Sequence, residues 1–243
     1  MSTTFNCADE ASRSEGLASA QQAIAHKQCV VMPTDTVYGI AADAFSPQAV
    51  ATLLAAKGRG RNMPPPVLIP RAVTMDGLAV DVSVDARKLA EAFWPGGLTL
   101  IFHAQPSLTW DLGDTRGTVA LRVPNDPVAL DLLSMTGPLA VSSANRSGHA
   151  AALTVAEAEE QLGESVAVYL EGGSRPLAEG ADRQPSTIVD ATSSTLRVVR
   201  EGSISIEQLR EVVPELEHAG SADDEPSPAD EPSPTDESGH APA

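Results

Sequence analysis

Four basic side chains lie close together in a part of the chain that contains no acidic residue. They are Lys57, Arg59, Arg61 and Arg71, and the chain as a whole is strongly acidic. A cluster of this kind is often only a solvated surface loop. A compact lysine charge followed two residues later by an arginine, which can form two parallel hydrogen bonds, would also suit a polyphosphate. The spacing therefore leaves two interpretations open, a solvated basic loop or an anion site.

Two polar segments follow predicted apolar strands and could supply further ligand contacts. Residues 142–148 (Ser-Ser-Ala-Asn-Arg-Ser-Gly) combine hydroxyl and amide groups, and residues 33–39 (Pro-Thr-Asp-Thr-Val-Tyr-Gly) form a second such segment. Each could be an ordinary turn. Polar groups at the carboxyl ends of strands in an open α/β sheet are also well placed to hold phosphate oxygens or a hydrated metal.

Arg122 lies inside the apolar segment 118–123, which is predicted to be a strand. Burial of a guanidinium without an anionic partner is costly, so a carboxylate of the protein or of a ligand should meet it. Arg200, at the end of the predicted strand 196–199, raises the same question less strongly.

Several familiar site motifs are absent from the sequence. No stretch matches the phosphate-binding pattern G-x-x-x-x-G-K-[ST] or a complete dinucleotide loop, so any nucleotide must bind by another route. A Ser-His hydrolase using His149 is disfavoured because no G-x-S-x-G turn exists. The five histidines and the two cysteines, Cys7 and Cys29, have no metal-ligand spacing, which argues against a zinc site.

The elements that would position these residues alternate between strands and helices. Helices are predicted around residues 17–24, from Ser46 and Pro47 to Lys57, and from Asp126, Thr154 and Ser205 onward. Strands are predicted at residues 29–32, 67–69, 98–102, 118–123, 139–142, 166–170, 187–189 and 196–199. This alternation indicates an α/β fold, and the short connection between the last two strands indicates an antiparallel hairpin in a mixed sheet.

Charge and composition divide the chain unequally. Its 243 residues have a net charge of −17, and nine acids but no lysine or arginine follow Val213, which leaves 24 acids and 16 bases before that point. Residues 217–243 carry almost no large apolar side chains and are predicted to be disordered. Aromatic residues are only 3% of the chain, which argues against extended stacking on single-stranded RNA. No secretory signal or membrane span is apparent, so a reducing cytoplasm is expected.

Taken together, four segments resemble the YrdC/TsaC family of threonylcarbamoyl-AMP synthases in order and spacing. They are residues 33–39, 57–59 (Lys-Gly-Arg), 143–148 and 185–190 (Pro-Ser-Thr-Ile-Val-Asp). The resemblance implies a twisted mixed β-sheet flanked by helices with a large basic concave cavity. It divides the chain into a flexible N-terminus (1–13), a YrdC-like catalytic domain (14–213) and an acidic tail (214–243).

The implied reaction joins L-threonine, bicarbonate and ATP into threonylcarbamoyl-AMP and pyrophosphate. A transferase complex would then pass the threonylcarbamoyl group to an adenosine beside the tRNA anticodon, and a weak contact of this chain with tRNA is expected. Mg²⁺ would enter mainly on the ATP phosphates, with no protein ligand predicted. The resemblance places Lys57, Arg59, Thr118, Ser143, Asn145 and Arg200 at ATP, with Lys57 and Arg59 as catalytic residues, and Thr36, Arg122 and Ser186 at threonine.

Three departures from the family pattern affect the basic loop. Many relatives have a proline, an asparagine and a histidine where this chain has Gly60, Met63 and Leu68.

An alternative function is a non-catalytic RNA-binding module of the same fold. The net charge opposes that alternative, because a strongly acidic chain does not attract phosphate backbones without sequence preference. Carbamoyl transfer in hydrogenase maturation would require further domains and more cysteines than this chain has.

Overall fold

The computed structural model describes residues 2–175 and 184–218, and this part of the chain forms one twisted sheet with helices on both faces. The strands are β1 (Thr3–Asn6), β2 (Val30–Met32), β3 (Gly39–Asp43), β4 (Val67–Leu68), β5 (Ala79–Val80), β6 (Leu98–Ala104), β7 (Thr118–Arg122), β8 (Leu139–Ser143), β9 (Val168–Glu171), β10 (Thr187–Asp190), β11 (Arg197–Arg200) and β12 (Glu217–His218). The helices are α1 (Glu10–Ala25), α2 (Pro47–Lys57), α3 (Met75–Leu78), α4 (Val84–Phe93), α5 (Pro127–Thr136), α6 (Val155–Leu162) and α7 (Ile206–Val212), with 3₁₀ turns at Ala72–Thr74 and Gly163–Ser165.

The strands pair in the order β1-β9-β2-β3-β8-β4-β7-β6-β10-β11-β12, and β5 pairs with β6 outside this path. The sheet contains parallel pairs, such as β4 with β7 and β6 with β10, and antiparallel pairs, such as β3 with β8 and β6 with β7. The predicted mixed sheet is therefore confirmed. The hairpin predicted near the C-terminal end is confirmed as well, because β10 and β11 are antiparallel.

Local chemistry explains why the helices next to the site begin and end where they do. Ser46 caps α2 by accepting a hydrogen bond from the Ala49 N–H, and Pro47 occupies the first turn. The helix ends after Lys57 because Gly58 adopts a left-handed conformation with φ +65°. Asp126 caps α5 in the same way, accepting from the N–H groups of Val128 and Ala129.

The core consists mainly of aliphatic side chains, as the composition predicts. One cluster packs α1 and α5 against the sheet through residues such as Leu17 and Leu132, and another packs α4 and α7 through Leu89 and Leu209. A third cluster includes Leu53 of α2 and residues of α6. The helices thus cover both faces of the sheet, and the loops at the strand ends are left to form the site.

Both predicted domain boundaries need correction. The N-terminus, expected to be flexible through residue 13, forms β1 parallel to β9, and α1 begins at Glu10 with Asp9 as its cap. At the other end β12 pairs with β11, so the folded part continues beyond residue 213 and includes the first two residues of the segment predicted to be disordered. The rest of the predicted acidic tail, residues 219–243, lies outside the described residues.

Within residues 2–175 and 184–218, no helix is both long enough and apolar enough to cross a membrane.

Candidate functional site

A cavity of about 350 Å³ opens where several strands end. Its volume lies at the lower end of the range typical of small-molecule sites. Thr36 follows β2, Arg122 ends β7, Ser143 ends β8, Ser186 precedes β10 and Arg200 ends β11. The lining residues are Thr34, Thr36, Val37, Tyr38, Gly39, Arg59, Met63, Pro64, Pro66, Leu68, Thr99, Arg122, Val141, Ser142, Ser143, Pro185, Ser186, Ile188 and Arg200. Segments that are far apart in sequence therefore meet in one cavity.

Three arginines contribute charge to this cavity, and none of the described residues that line it is acidic. Burial lowers the pKa of Arg59, Arg122 and Arg200 below the ordinary guanidinium value. The positive charges of Arg122 and Arg59 lower the pKa of Arg200 further, so the three groups influence one another electrostatically. An anion in the cavity would relieve this mutual repulsion. The site is therefore suited to a negatively charged ligand.

Arg122 has a carboxylate partner within the protein. Its Nη2 donates to Asp35 Oδ1 at 2.7 Å, and the side chains of this pair are only 7% and 17% exposed. Its Nε donates to the Gly96 carbonyl at 2.8 Å, and Nη1 donates to Thr36 Oγ1 at 3.2 Å. The protein thus supplies the anion that the sequence required for this strand arginine. The guanidinium is held rigidly at the cavity wall, where it can also meet a ligand carboxylate.

A network of threonine hydroxyls gives the first polar loop its shape. Thr34 Oγ1 accepts from the N–H groups of Thr36 and Val37 and donates to the Val37 carbonyl at 2.6 Å. This turn brings the Thr36 hydroxyl to the Arg122 guanidinium. Tyr38, the next residue but one, is fully buried, and its hydroxyl donates to the Gly173 carbonyl at 2.7 Å. Tyr38 is therefore a core residue that anchors the loop.

Ser186 and its neighbours form a further part of the cavity lining. Ser186 Oγ lies 2.9 Å from Thr99 Oγ1, and Arg200 Nη2 donates to the Ser186 carbonyl at 2.7 Å. The hydroxyls of Thr36 and Ser186 and the guanidinium of Arg122 thus all belong to the cavity lining.

Arg59 reaches the cavity from the residue after the C-cap of α2. Its Nη1 donates to Ser142 Oγ at 3.0 Å. Its Nε is buried and has no hydrogen-bond partner among the residues that the structure describes. A buried N–H without an acceptor is costly, so this atom favours a ligand oxygen.

Lys57, which the sequence interpretation placed at the ATP phosphates, is not among the residues that line the cavity. Its side chain is fully buried, and Nζ donates to the carbonyls of Ser143 and Asn145 and to Asn145 Oδ1. Burial and the nearby Arg59 charge lower the pKa of Lys57 to about 7. Gly58 adopts a left-handed conformation between Lys57 and Arg59, and the two side chains on either side of it have different surroundings.

Asn145 and Thr118 are also absent from the cavity lining. Asn145 is buried, and its amide donates to the carbonyls of Arg146 and His149, so it stabilises its own loop. Thr118 begins β7, at the opposite end of the strand from Arg122, and its hydroxyl donates to the Thr115 carbonyl. The other six predicted site residues line the cavity: Thr36, Arg59, Arg122, Ser143, Ser186 and Arg200.

The sequence interpretation missed three polar groups that organise the site. Asp35 lies in the quoted 33–39 segment, but only the sheet order, which places β2 and β7 in one sheet, identifies it as the Arg122 partner. Thr99 lies in an apolar strand, and its contact with Ser186, two residues before its cross-strand partner Ile188, follows only from the pairing of β6 with β10. Arg175, which is buried against Asp126 at 2.7 Å, carried no signal in the sequence.

The described residues contain no group of three or more histidine, cysteine or acidic side chains that could hold a metal ion. Asp35, a carboxylate next to the cavity lining, is occupied by Arg122 and by the Asn125 N–H. The donors that the described residues offer do not fit a resident divalent cation.

Comparisons with known proteins show which family this chain resembles. The model of the Sua5/YciO/YrdC family, described as "Telomere recombination", matches residues 22–202. A "Putative threonylcarbamoyl-AMP synthase" of Mycobacterium tuberculosis is 53% identical over 213 residues, which cover 88% of this chain and 96% of that protein. A threonylcarbamoyl-AMP synthase of Bacillus subtilis is 32% identical, over 81% of this chain and 56% of its own length. The structure of Pyrococcus abyssi Sua5 complexed with L-threonine matches with a TM-score of 0.80 and 26% identity, over 90% of this chain and 62% of that one.

Proposed function

The chain belongs to the Sua5/YciO/YrdC family, and from this we infer that it is a threonylcarbamoyl-AMP synthase. The reaction condenses L-threonine, bicarbonate and ATP to threonylcarbamoyl-AMP and pyrophosphate. One observation within the chain carries this assignment: three arginines and several hydroxyl groups meet in a cavity with no acid among the described residues that line it. Such a cavity suits substrates that carry a carboxylate and phosphates.

We propose that L-threonine binds at the end of the cavity formed by Thr36, Arg122 and Ser186. Arg122 is held by Asp35 and the Gly96 carbonyl, so it can present its remaining donor to the amino acid's carboxylate with little loss of side-chain entropy. The hydroxyls of Thr36 and Ser186 line the cavity beside Arg122 and can accept from an amine or donate to an oxygen.

The ATP phosphates are proposed to bind at Arg59 and Arg200, with Ser143 beside them. The unpartnered Nε of Arg59 supports this role, because it requires an acceptor. Thr118 and Asn145 remain outside the cavity, and we assign them no direct contact with the phosphates. Mg²⁺ would enter with ATP and neutralise phosphate charge, since the described residues offer it no ligand cluster.

In the chemical step, the threonine amine and bicarbonate form a carbamate with loss of water. A carbamate oxygen then attacks the α-phosphorus of ATP, and pyrophosphate leaves with the electrons of the broken P–O bond. The protein needs to form no covalent intermediate for this sequence. Its contribution is to hold the two anionic substrates together against their repulsion and to exclude water around the reacting oxygen.

The product is a mixed anhydride that another enzyme must consume. We propose that a threonylcarbamoyl transferase complex receives it for modification of the tRNA adenosine next to the anticodon, and that the reaction takes place in the cytoplasm. A non-catalytic RNA-binding role has weaker support, because the net charge of −17 opposes general attraction to a phosphate backbone.

The test is pyrophosphate release by the purified chain with ATP and Mg²⁺, with L-threonine and bicarbonate omitted in turn. Release should require both substrates. Arg59→Ala should lower kcat/KM by roughly a hundredfold or more, as does removal of one preorganised donor elsewhere. The exposed Arg87→Ala variant is the matched control and should retain full activity. Absence of release under every combination, together with tRNA binding that weakens steeply with salt, would replace the synthase by the RNA-binding module.

A further inference from the structure

Lys57 is a fully buried lysine that lies beside the cavity and has no carboxylate partner among the described residues. Removal of an ammonium group from water is costly unless each of its N–H groups finds an acceptor. Here the acceptors are three oxygens of one short turn. They are the carbonyls of Ser143 and Asn145, the latter at 2.6 Å, and the side-chain oxygen of Asn145 at 3.3 Å.

The three acceptors match the three N–H groups of the ammonium form. A neutral amine has only two N–H groups, and its lone pair would face an oxygen. The main chain adds a fourth connection, because the Lys57 carbonyl accepts from the Ser147 N–H at 2.9 Å. Lys57 therefore joins the end of α2 to both sides of the turn at residues 143–147.

This turn determines where two cavity-lining serines lie. Ser142 and Ser143 end β8 immediately before the turn, and both line the cavity. Ser142 Oγ also accepts from Arg59, which comes from the same helix end as Lys57. A displaced turn would thus move the hydroxyls and the guanidinium that the proposed function assigns to the nucleotide.

We propose that Lys57 is a positioning residue that fixes the turn at residues 143–147 from behind and makes no contact with the nucleotide phosphates. The part of this proposal that concerns ligands depends on the proposed function. The part that concerns the turn depends only on the geometry of Lys57, and the two parts can be tested separately.

The nucleotide test compares Kd values of ATP and AMP for the full chain and for Lys57→Met, which keeps the side-chain length and removes the ammonium. Loss of positioning should weaken both nucleotides, and in the Lys57→Met/Arg59→Ala double variant the losses for ATP should be less than multiplicative, because Lys57→Met acts through the wall that holds Arg59. It should lower kcat/KM by roughly a hundredfold, the cost of a misplacement of about 1 Å. Direct contact of Lys57 with the polyphosphate predicts instead independent, multiplicative losses for ATP in this double variant, and this result would overturn the proposal.

The turn test measures amide hydrogen exchange without ligand. Lys57→Met should speed exchange at residues 143–149 and leave strands β6 and β10 unchanged. Unchanged exchange at residues 143–149 would overturn the proposal whatever the nucleotide data show. Lys88→Met, the same substitution at an exposed lysine, is the control and should change neither measurement.

Asn145→Ala keeps the proposal testable if Lys57→Met fails to fold. Asn145 lies outside the cavity lining and its side chain supplies one of the three oxygens, so this variant should also weaken both ATP and AMP. In the Lys57→Met/Asn145→Ala double variant the two losses should be less than multiplicative, because both act through one turn. Independent, multiplicative losses would contradict the proposal. If the wild-type chain binds neither nucleotide, the proposed function fails, while the exchange measurement still decides the role of Lys57.

Discussion

At the scale of single residues, Arg122 illustrates how a buried charge can be satisfied by the protein and still serve a ligand. The guanidinium has five N–H groups, and the protein partners at Asp35, Thr36 and Gly96 leave part of this capacity facing the cavity. The sequence predicted that a carboxylate must meet Arg122, and this is confirmed. Which carboxylate it is could not be predicted, since Asp35 reaches Arg122 only when β2 and β7 lie in the same sheet.

Asp35→Asn should weaken L-threonine binding more than it slows the chemical step. The variant keeps an acceptor for the Asn125 N–H but replaces the charged hydrogen bond to Arg122 by a neutral one. Hydrogen bonds to charged groups contribute roughly 1.5–3 kcal/mol, so KM for L-threonine should rise by about tenfold or more. Steady-state kinetics with saturating ATP measure this, with the exposed Asp85→Asn as control. An unchanged KM for threonine would show that Arg122 needs no carboxylate to hold it.

The position of Lys57 shows a limit of motif reasoning at this scale. A lysine and an arginine two residues apart look equivalent in a sequence. The left-handed Gly58 between them sends one side chain into the protein and the other into the cavity. The backbone conformation of Gly58, which the sequence pattern alone does not give, accompanies this difference in position between Lys57 and Arg59.

At the scale of elements, the loop that carries Arg59 and Met63 to the cavity is joined by an ion pair to the connection between β6 and β7. Arg61 forms two parallel hydrogen bonds with Asp111, at 2.7 and 3.1 Å, and its carbonyl accepts from the Asp114 N–H at 2.8 Å. Gly113 has φ +106°, and a Cβ there would lie 2.6 Å from the Arg61 carbonyl oxygen, so only glycine allows this approach. The loop that carries Arg59 and Met63 to the cavity is thus supported by the β6–β7 connection.

Reversal of one charge in this pair should disturb the cavity wall, and reversal of both should restore it. Arg61→Asp and Asp111→Arg should each raise KM for ATP by a factor of about two to five, a modest effect because both side chains are largely exposed. The double swap should return KM close to the wild-type value. ATP titrations of the three variants measure this, and a double swap as impaired as the single ones would show that the pair does not support the loop.

Prediction of the elements from sequence succeeded where the caps and apolar runs were strong and failed elsewhere. The helix that ends at Lys57 and the β10–β11 hairpin are confirmed. Strand β3 was missed because Gly39–Asp43 is rich in alanine, and its strand conformation comes from pairing between β2 and β8. Helix α4 was missed although Ser83 is a good N-cap and Ala86, Leu89 and Ala90 lie on one buried face.

At the scale of the whole molecule, charge is distributed unevenly between the surface and the cavity. A chain with net charge −17 contains a cavity to which the part described by the structure contributes three arginines and no acid. The net negative charge of the chain repels an approaching anion, whereas the arginines of the cavity attract it at short range. Salt screens both effects.

Salt should therefore affect the two substrates differently. Local attraction by three nearby arginines acts on several phosphate charges in ATP, but threonine carries no net charge. An increase of ionic strength from about 0.05 to 0.5 M should raise Kd for ATP severalfold and leave Kd for L-threonine nearly unchanged. Calorimetric titrations at several NaCl concentrations measure this. An ATP affinity independent of salt would contradict binding of the phosphates at these arginines.

The stability of the fold should depend on pH through its buried thiols. Burial raises the pKa of Cys29 from 9.0 to about 12, so the folded chain holds this proton at pH values where the unfolded chain releases it. The unfolded state then binds fewer protons, and the free energy of unfolding falls by up to about 1.4 kcal/mol per pH unit as pH rises above 9. Urea unfolding of the wild type and Cys29→Ala at pH 7.5 and 10 measures this. Between pH 7.5 and pH 10, the free energy of unfolding should fall more for the wild type than for Cys29→Ala. An equal fall in both proteins would contradict the prediction.

The pairing of β1 with β9 also has a consequence for synthesis on the ribosome. Thr3 pairs with Val168, so the first strand is made about 165 residues before its partner. At translation rates of roughly 5–20 residues per second, residues 3–6 wait about ten to thirty seconds with an open backbone edge. The strand is short and mostly exposed even in the folded protein, so a long wait leaves little apolar surface available to other nascent chains. Nascent chains stalled before residue 168 should therefore be protected from proteolysis at α1 less than chains stalled well beyond it.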